Sequence, residues 1–86
     1  MEDLVTTSNN LLSFLQGVIE DETEEKIPDF SVNTNLDGIG LTSLQRIRVM
    51  VVLEKRFNIE IDEQAAVEMR TAGDVVNHLN QCLSTH

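Results

Sequence analysis

The sequence predicts an all-α fold, a four-helix bundle with three longer helices, one short third helix, and a long loop between helices 1 and 2. Three observations point there. Apolar residues recur at helical spacing in three stretches, and no stretch alternates apolar and polar residues as a half-buried strand would. Two patterns of Thr followed three residues later by Gln or Asp, Thr42–Gln45 and Thr71–Asp74, also mark helix starts.

The first helix is read from Leu4, Leu11, Leu12, Leu15, Val18 and Ile19, which share one face. Its cap is Asp3 or Ser8, because Thr6 to Asn10 is poor helix material, and its end is expected near Glu20. Residues 20–42 then read as a connection. They hold an acidic cluster (Glu20, Asp21, Glu22, Glu24, Glu25) and the one proline, Pro28, with Phe30, Val32, Leu36 and Ile39 as expected anchors. A loop of that length in a small domain is unusual and often functional. The second helix is expected from Thr42 to about Phe57, with Leu44, Ile47, Met50, Val51, Leu53 and Phe57 inward and Val49 and Val52 elsewhere. An apolar surface around most of a helix suits a central helix, or one that also meets a partner. Asn58 to Ile61 reads as extended, with Ile61 plugging the core. Asp62 then caps a short helix from Glu63 to Met69, and Thr71 caps a last one whose inner face is Val75, Val76, Leu79 and Leu83.

The chain has 86 residues, enough for one modest core, so residues 1–86 are read as a single domain. With three Phe, no Tyr and no Trp it offers no stacking platform for single-stranded nucleic acid. A net charge of −9 argues against binding phosphate backbones. Cys82 is the sole cysteine, Met1-Glu2-Asp3 opens no signal peptide, and the longest apolar run, Val49 to Leu53, is far short of a membrane span. The expectation is a cytoplasmic monomer with no nucleic-acid partner and no membrane insertion.

Candidate chemistry centres on Thr42-Ser43-Leu44-Gln45. Thr42 and Gln45 form a capping box, which makes Ser43 the first helical residue and leaves its hydroxyl in the positive field of the helix N-terminus. Ser43 is either one more small polar residue near a cap or a hydroxyl placed to carry a phosphoryl group. Asn33, Asn35, Asp37 and Gly38 begin a calcium-loop pattern that fails at its twelfth position, Leu44, where a bidentate Glu belongs. His78, Cys82 and His86 share a helical face but lack a fourth zinc ligand. Ser43 with a histidine makes no hydrolytic site, because the chain has no G-x-S-x-G elbow. No metal site and no enzyme activity are therefore expected.

The stretch Ile39-Gly40-Leu41-Thr42-Ser43-Leu44 resembles the L-G-x-D-S-L signature of acyl carrier proteins. Leu53-Glu54-Lys55-Arg56-Phe57-Asn58-Ile59-Glu60-Ile61 is similar to that family's L-E-x-x-F-x-x-x-I stretch, and Thr71 to Leu79 falls where its last helix lies. The resemblance covers about residues 36–83. It implies that Ser43 carries a covalent 4′-phosphopantetheine arm and that acyl or aminoacyl cargo rides on it as a thioester. The implied partners are a phosphopantetheinyl transferase, a loading ligase and downstream synthases of a fatty acid, polyketide, nonribosomal peptide or modified-lipid pathway. Docking falls to Thr42, Leu44, Arg46, Ile47, Arg48, Val51, Lys55 and Arg56, and Arg46 is also close enough to add charge beside the arm.

Two departures mark a specialised carrier. Thr42 stands where the family usually has Asp. Arg46, Arg48, Lys55 and Arg56 make the second helix basic, with Glu54 its one acid, whereas the rest of the chain has two basic and fourteen acidic residues. Either such a helix repels the basic partners that acidic carriers meet, or Arg48 and Lys55, seven apart on one stripe, are merely solvated. The alternative is a carrier-fold interaction module without the arm, binding an acidic protein through this helix.

Overall fold

The computed structural model describes residues 8–84. Its helices are α1 (Ser8–Thr23), α2 (Ser43–Phe57), α3 (Glu63–Glu68) and α4 (Ala72–Ser84), in the order and relative lengths that the sequence predicts. Asp3 and Leu4, expected in the first helix, and His86, weighed as a ligand, lie outside the described residues. α1 packs against α2 and α4, and α2 also meets α3. Leu11, Leu15 and Ile19 of α1, Leu53 of α2, and Val75 and Leu79 of α4 are fully buried between them. Leu36, Leu41, Ile59 and Ile61 from the connections close the ends of this core, as Ile61 was expected to do. No helix among the described residues is long and apolar enough to cross a membrane.

α1 runs to Thr23, three residues past the expected end. The acidic cluster therefore begins as the last helical turn. Glu20 explains the difference. Its carboxylate accepts the Ile27 N–H at 2.7 Å and the Gln16 side-chain amide at 3.2 Å, which folds the returning chain back onto the helix. The Ile27 N–H, helped by Gln16 and Lys26 and opposed by partial burial, holds the Glu20 carboxyl below its ordinary range. Glu24, at φ 60°, ends the helix and donates its N–H to the Glu20 carbonyl at 2.7 Å.

α2 is rotated relative to the sequence expectation. Arg46, Val49, Met50 and Leu53 are its buried residues, an i, i+3, i+4, i+7 stripe. Val49, expected to point elsewhere, is inside, while Leu44, Ile47 and Val51, expected inside, are exposed. Phe57 sits half-buried, edge-on to Phe14 of α1 with ring centroids 5.6 Å apart.

α3 ends at Glu68, one residue early, and Asp62 occupies its N-cap position without a capping hydrogen bond from its side chain. α4 is capped as predicted: the Asp74 N–H donates to Thr71 Oγ1 at 3.2 Å. The Asp74 carboxylate accepts the N–H groups of Arg70 and Thr71, at 2.9 and 3.1 Å, and these lower its pKa below the usual 3.8. A lowered carboxyl pKa stabilises the fold above about pH 4, and that contribution fades as pH falls through the lowered value.

The loop between α1 and α2 is held by backbone bonds that the sequence did not show. The Leu36 N–H donates to the Arg70 carbonyl at 2.8 Å, the Ala72 N–H to Thr34 at 2.9 Å, and the Gly73 N–H to Val32 at 2.8 Å. An antiparallel bridge between Asn35 and Thr71 belongs to the same strap. Val32, expected to anchor through its side chain, is exposed and holds through its carbonyl instead. This strap leaves no room for a side chain at Gly73, where a Cβ would stand 2.9 Å from the Val32 oxygen.

Gly73→Ala is expected to lose about 1–3 kcal/mol of stability in denaturant unfolding, because backbone must shift to admit the methyl. Gly17→Ala, in α1 with open space at its Cβ, is expected to gain about 0.5–1 kcal/mol from helix propensity. An unchanged unfolding midpoint for Gly73→Ala would show that the strap is not tightly held.

Candidate functional site

Gly40 adopts φ +82°, a left-handed turn that glycine makes without a steric cost, and the chain then turns through buried Leu41 into α2. Thr42 is the N-cap, with extended backbone at φ −74°, ψ 167°. The Gln45 N–H donates to Thr42 Oγ1 at 3.1 Å and the Thr42 N–H to Gln45 Oε1 at 3.0 Å, so both halves of the expected capping box form. The box leaves the Ser43 hydroxyl out. Ser43 is exposed on the first turn of α2, and that turn has no acidic residue to oppose an anion.

Beside Ser43 lies a cavity of about 230 Å³, bordered by Asp37, Leu41, Arg46, Ile47, Ala66 and Val67, with Glu63 and Arg70. Two arginines and two carboxylates border it. One of those arginines is not where the sequence reading expected it. Arg46 is grouped there with the docking residues of the second helix, yet it is only 9 % exposed. Its Nη1 donates to the Met69 carbonyl at 3.1 Å and its Nη2 to Asp37 Oδ1 at 2.6 Å. Burying a guanidinium costs several kcal/mol unless acceptors meet it, and these two do. Arg46 therefore ties α2 to the interhelical loop and to the residue that follows α3.

The remaining candidates are exposed, with Arg56, nine residues from Ile47, on the opposite side of the helix. Leu44, Ile47 and Val51 lie one turn apart and exposed, with Val52 beside them, and Val67 of α3, 64 % exposed, borders the same cavity as Ile47. Arg48 is exposed and pairs with Glu22 of α1 at 3.2 Å. Arg56 lies over the Phe14 ring, 5.3 Å from its centroid. Lys55 is exposed. The positive charge offered outward is thus smaller than the count of basic residues implies, because Arg46 and Arg48 each carry a counter-ion. Sequence reasoning missed Asp37 as a partner of this helix. In the calcium pattern it stood as a ligand, but here it faces Arg46, while Asn35 Oδ1 accepts the Asp37 and Gly38 N–H groups.

These positions fit a phosphate-linked group on Ser43: an exposed hydroxyl outside the cap network, a helix N-terminus behind it, and a cavity alongside with two cations on its wall. The family profile described as "Phosphopantetheine attachment site" matches residues 13–79, reaching back into α1 beyond the motif itself. The chain is 38% identical over 63 residues to an acyl carrier protein of Chlamydia caviae, covering 73% of this chain and 74% of that one. It is 29% identical over 79 residues to an acyl carrier protein of Rickettsia bellii, covering 91% and 92%. It is also 37% identical over 59 residues, 69% of this chain, to 2% of the non-reducing polyketide synthase adrD of Penicillium rubens.

Thr42→Ala removes one half of the capping box and is expected to cost about 1 kcal/mol in denaturant unfolding, whereas Thr42→Asp keeps the cap and most of the stability. An unchanged midpoint for Thr42→Ala would show that the box does not hold the start of α2.

Proposed function

This chain belongs to the phosphopantetheine-attachment family of acyl carrier proteins, and from that premise we propose that Ser43 carries the arm and that the outer face of α2 receives the partner enzymes. As a family member it is a non-catalytic carrier with covalently attached 4′-phosphopantetheine. The observation that carries the assignment to Ser43 is its hydroxyl, exposed at the N-terminus of α2 and excluded from the cap that Thr42 and Gln45 complete.

When bound, the arm supplies a terminal thiol on which acyl or aminoacyl cargo is held as a thioester. The chain's own residues do the rest. The backbone N–H groups at the start of α2 favour the phosphate charge. Leu44, Ile47 and Val51 present an apolar stripe whose burial drives docking, and Arg48, Lys55 and Arg56 set the charge that a partner must match. We read this charge as selecting acidic partner surfaces, in a specialised polyketide, nonribosomal peptide, fatty acid or lipid pathway of the cytoplasm. The partners are a phosphopantetheinyl transferase, a loading ligase and the synthases that follow.

Incubation with coenzyme A and a broad-specificity phosphopantetheinyl transferase is expected to add one phosphopantetheine by intact mass, and Ser43→Ala is expected to add none. A gain that persists in Ser43→Ala would overturn the assignment. For the docking face, Lys55→Glu is expected to slow loading by an acidic partner several-fold at low salt, with the difference shrinking as salt rises. An unchanged rate across the salt range would remove Lys55 from the interface.

A further inference from the structure

We propose that Asp37 is a resident counter-ion of Arg46 that gives way to the phosphate of the arm, so that modification of the serine releases the interhelical loop at this point. The inference rests on the reading that Ser43 is the modified residue. It starts from the asymmetry of the ion pair. The Arg46 guanidinium is buried and fixed on one side by the Met69 carbonyl, whereas the Asp37 side chain is 67 % exposed. The carboxylate can therefore return to water more readily than the guanidinium, once another anion takes its place on Arg46.

Ser43 and Arg46 are three residues apart on α2, which puts their side chains on neighbouring positions of one helical face, with Cβ atoms about 5–6 Å apart. Both border the 230 Å³ cavity, and so does Asp37. A phosphodiester on the serine brings a second negative charge to the single cation that Asp37 already holds. Two anions that share one guanidinium repel each other, and the exposed one is the easier to displace. The phosphodiester is tethered by a covalent bond, whereas Asp37 sits in a loop held mainly by the backbone strap at Val32, Thr34 and Leu36. That strap does not involve the Asp37 side chain, so the loop can let go there without coming away from α4. Arg70, the other cation on the wall, is the competing recipient of the phosphate; if Arg70 takes it, the Arg46–Asp37 pair stays as it is.

The test compares Asp37→Ala with the parent protein, each with and without the arm, after intact mass has shown the state of every sample. In the unmodified form the substitution is expected to lower Tm by about 4 °C, since the buried guanidinium loses its carboxylate. In the phosphopantetheine-bearing form the loss is expected to be less than half as large, and the backbone amide resonances of Asp37 and Gly38 in the parent protein are expected to move on modification. Equal Tm losses in the two forms, no loss in the unmodified form, or amide resonances that stay fixed would each overturn the proposal. Failure to gain mass would instead count against Ser43 as the attachment residue, so the two failures are told apart before any melt is run.

Discussion

The buried guanidinium of Arg46 joins three parts of the chain: the first turn of α2, the loop that precedes it, and the carbonyl of Met69 just after α3. A charge at this depth requires acceptors on both sides, and each acceptor lies on a segment with little regular structure of its own. The requirement therefore fixes the segments. With Met69 held, the carbonyl of Arg70 is in position to accept from Leu36, and the loop is strapped along the start of α4. Between Asp37 and α2, the turn at Gly40 leads into the Thr42 cap.

That arrangement explains why the serine end of α2 is both ordered and open. Thr42 and Gln45 satisfy each other's backbone groups and take nothing from Ser43. Rotation of α2 places Arg46, Val49, Met50 and Leu53 inside, so Leu44, Ile47 and Val51 come to the surface. An apolar stripe exposed beside Ser43 is what a carrier needs if partner enzymes must approach it repeatedly without a permanent complex. Two cations of the helix, Arg48 and Arg56, hold α2 to α1 through Glu22 and Phe14. The outward charge is correspondingly weaker than that of a free basic helix.

The four helices were legible in the sequence because their signals are local. Periodic apolar residues mark α1 and α4, and the caps at Thr42 and Thr71 each sit three residues from the side chain that completes them. The face of α2 was not legible. A helix apolar around most of its circumference does not state its own rotation, and the residue that settles it is an arginine, which patterning assigns to the surface. The strap was also invisible, since carbonyls of Val32, Thr34 and Arg70 do its work and every residue has a carbonyl. Asp37 illustrates the same limit: its spacing suggested a metal ligand, but its partner is nine residues away and recognisable only once the loop is folded. Family resemblance reached Ser43 from the motif around it, whereas the pairing beside it came only from geometry.

The most direct measurement is tandem mass spectrometry of the Ser43-containing peptide from protein purified from its native host. Phosphopantetheine on Ser43, with an acyl or aminoacyl load in part of the sample, is the result expected of a carrier whose helix N-terminus presents that hydroxyl. An unmodified Ser43 throughout the sample, or the arm on another residue, would contradict it.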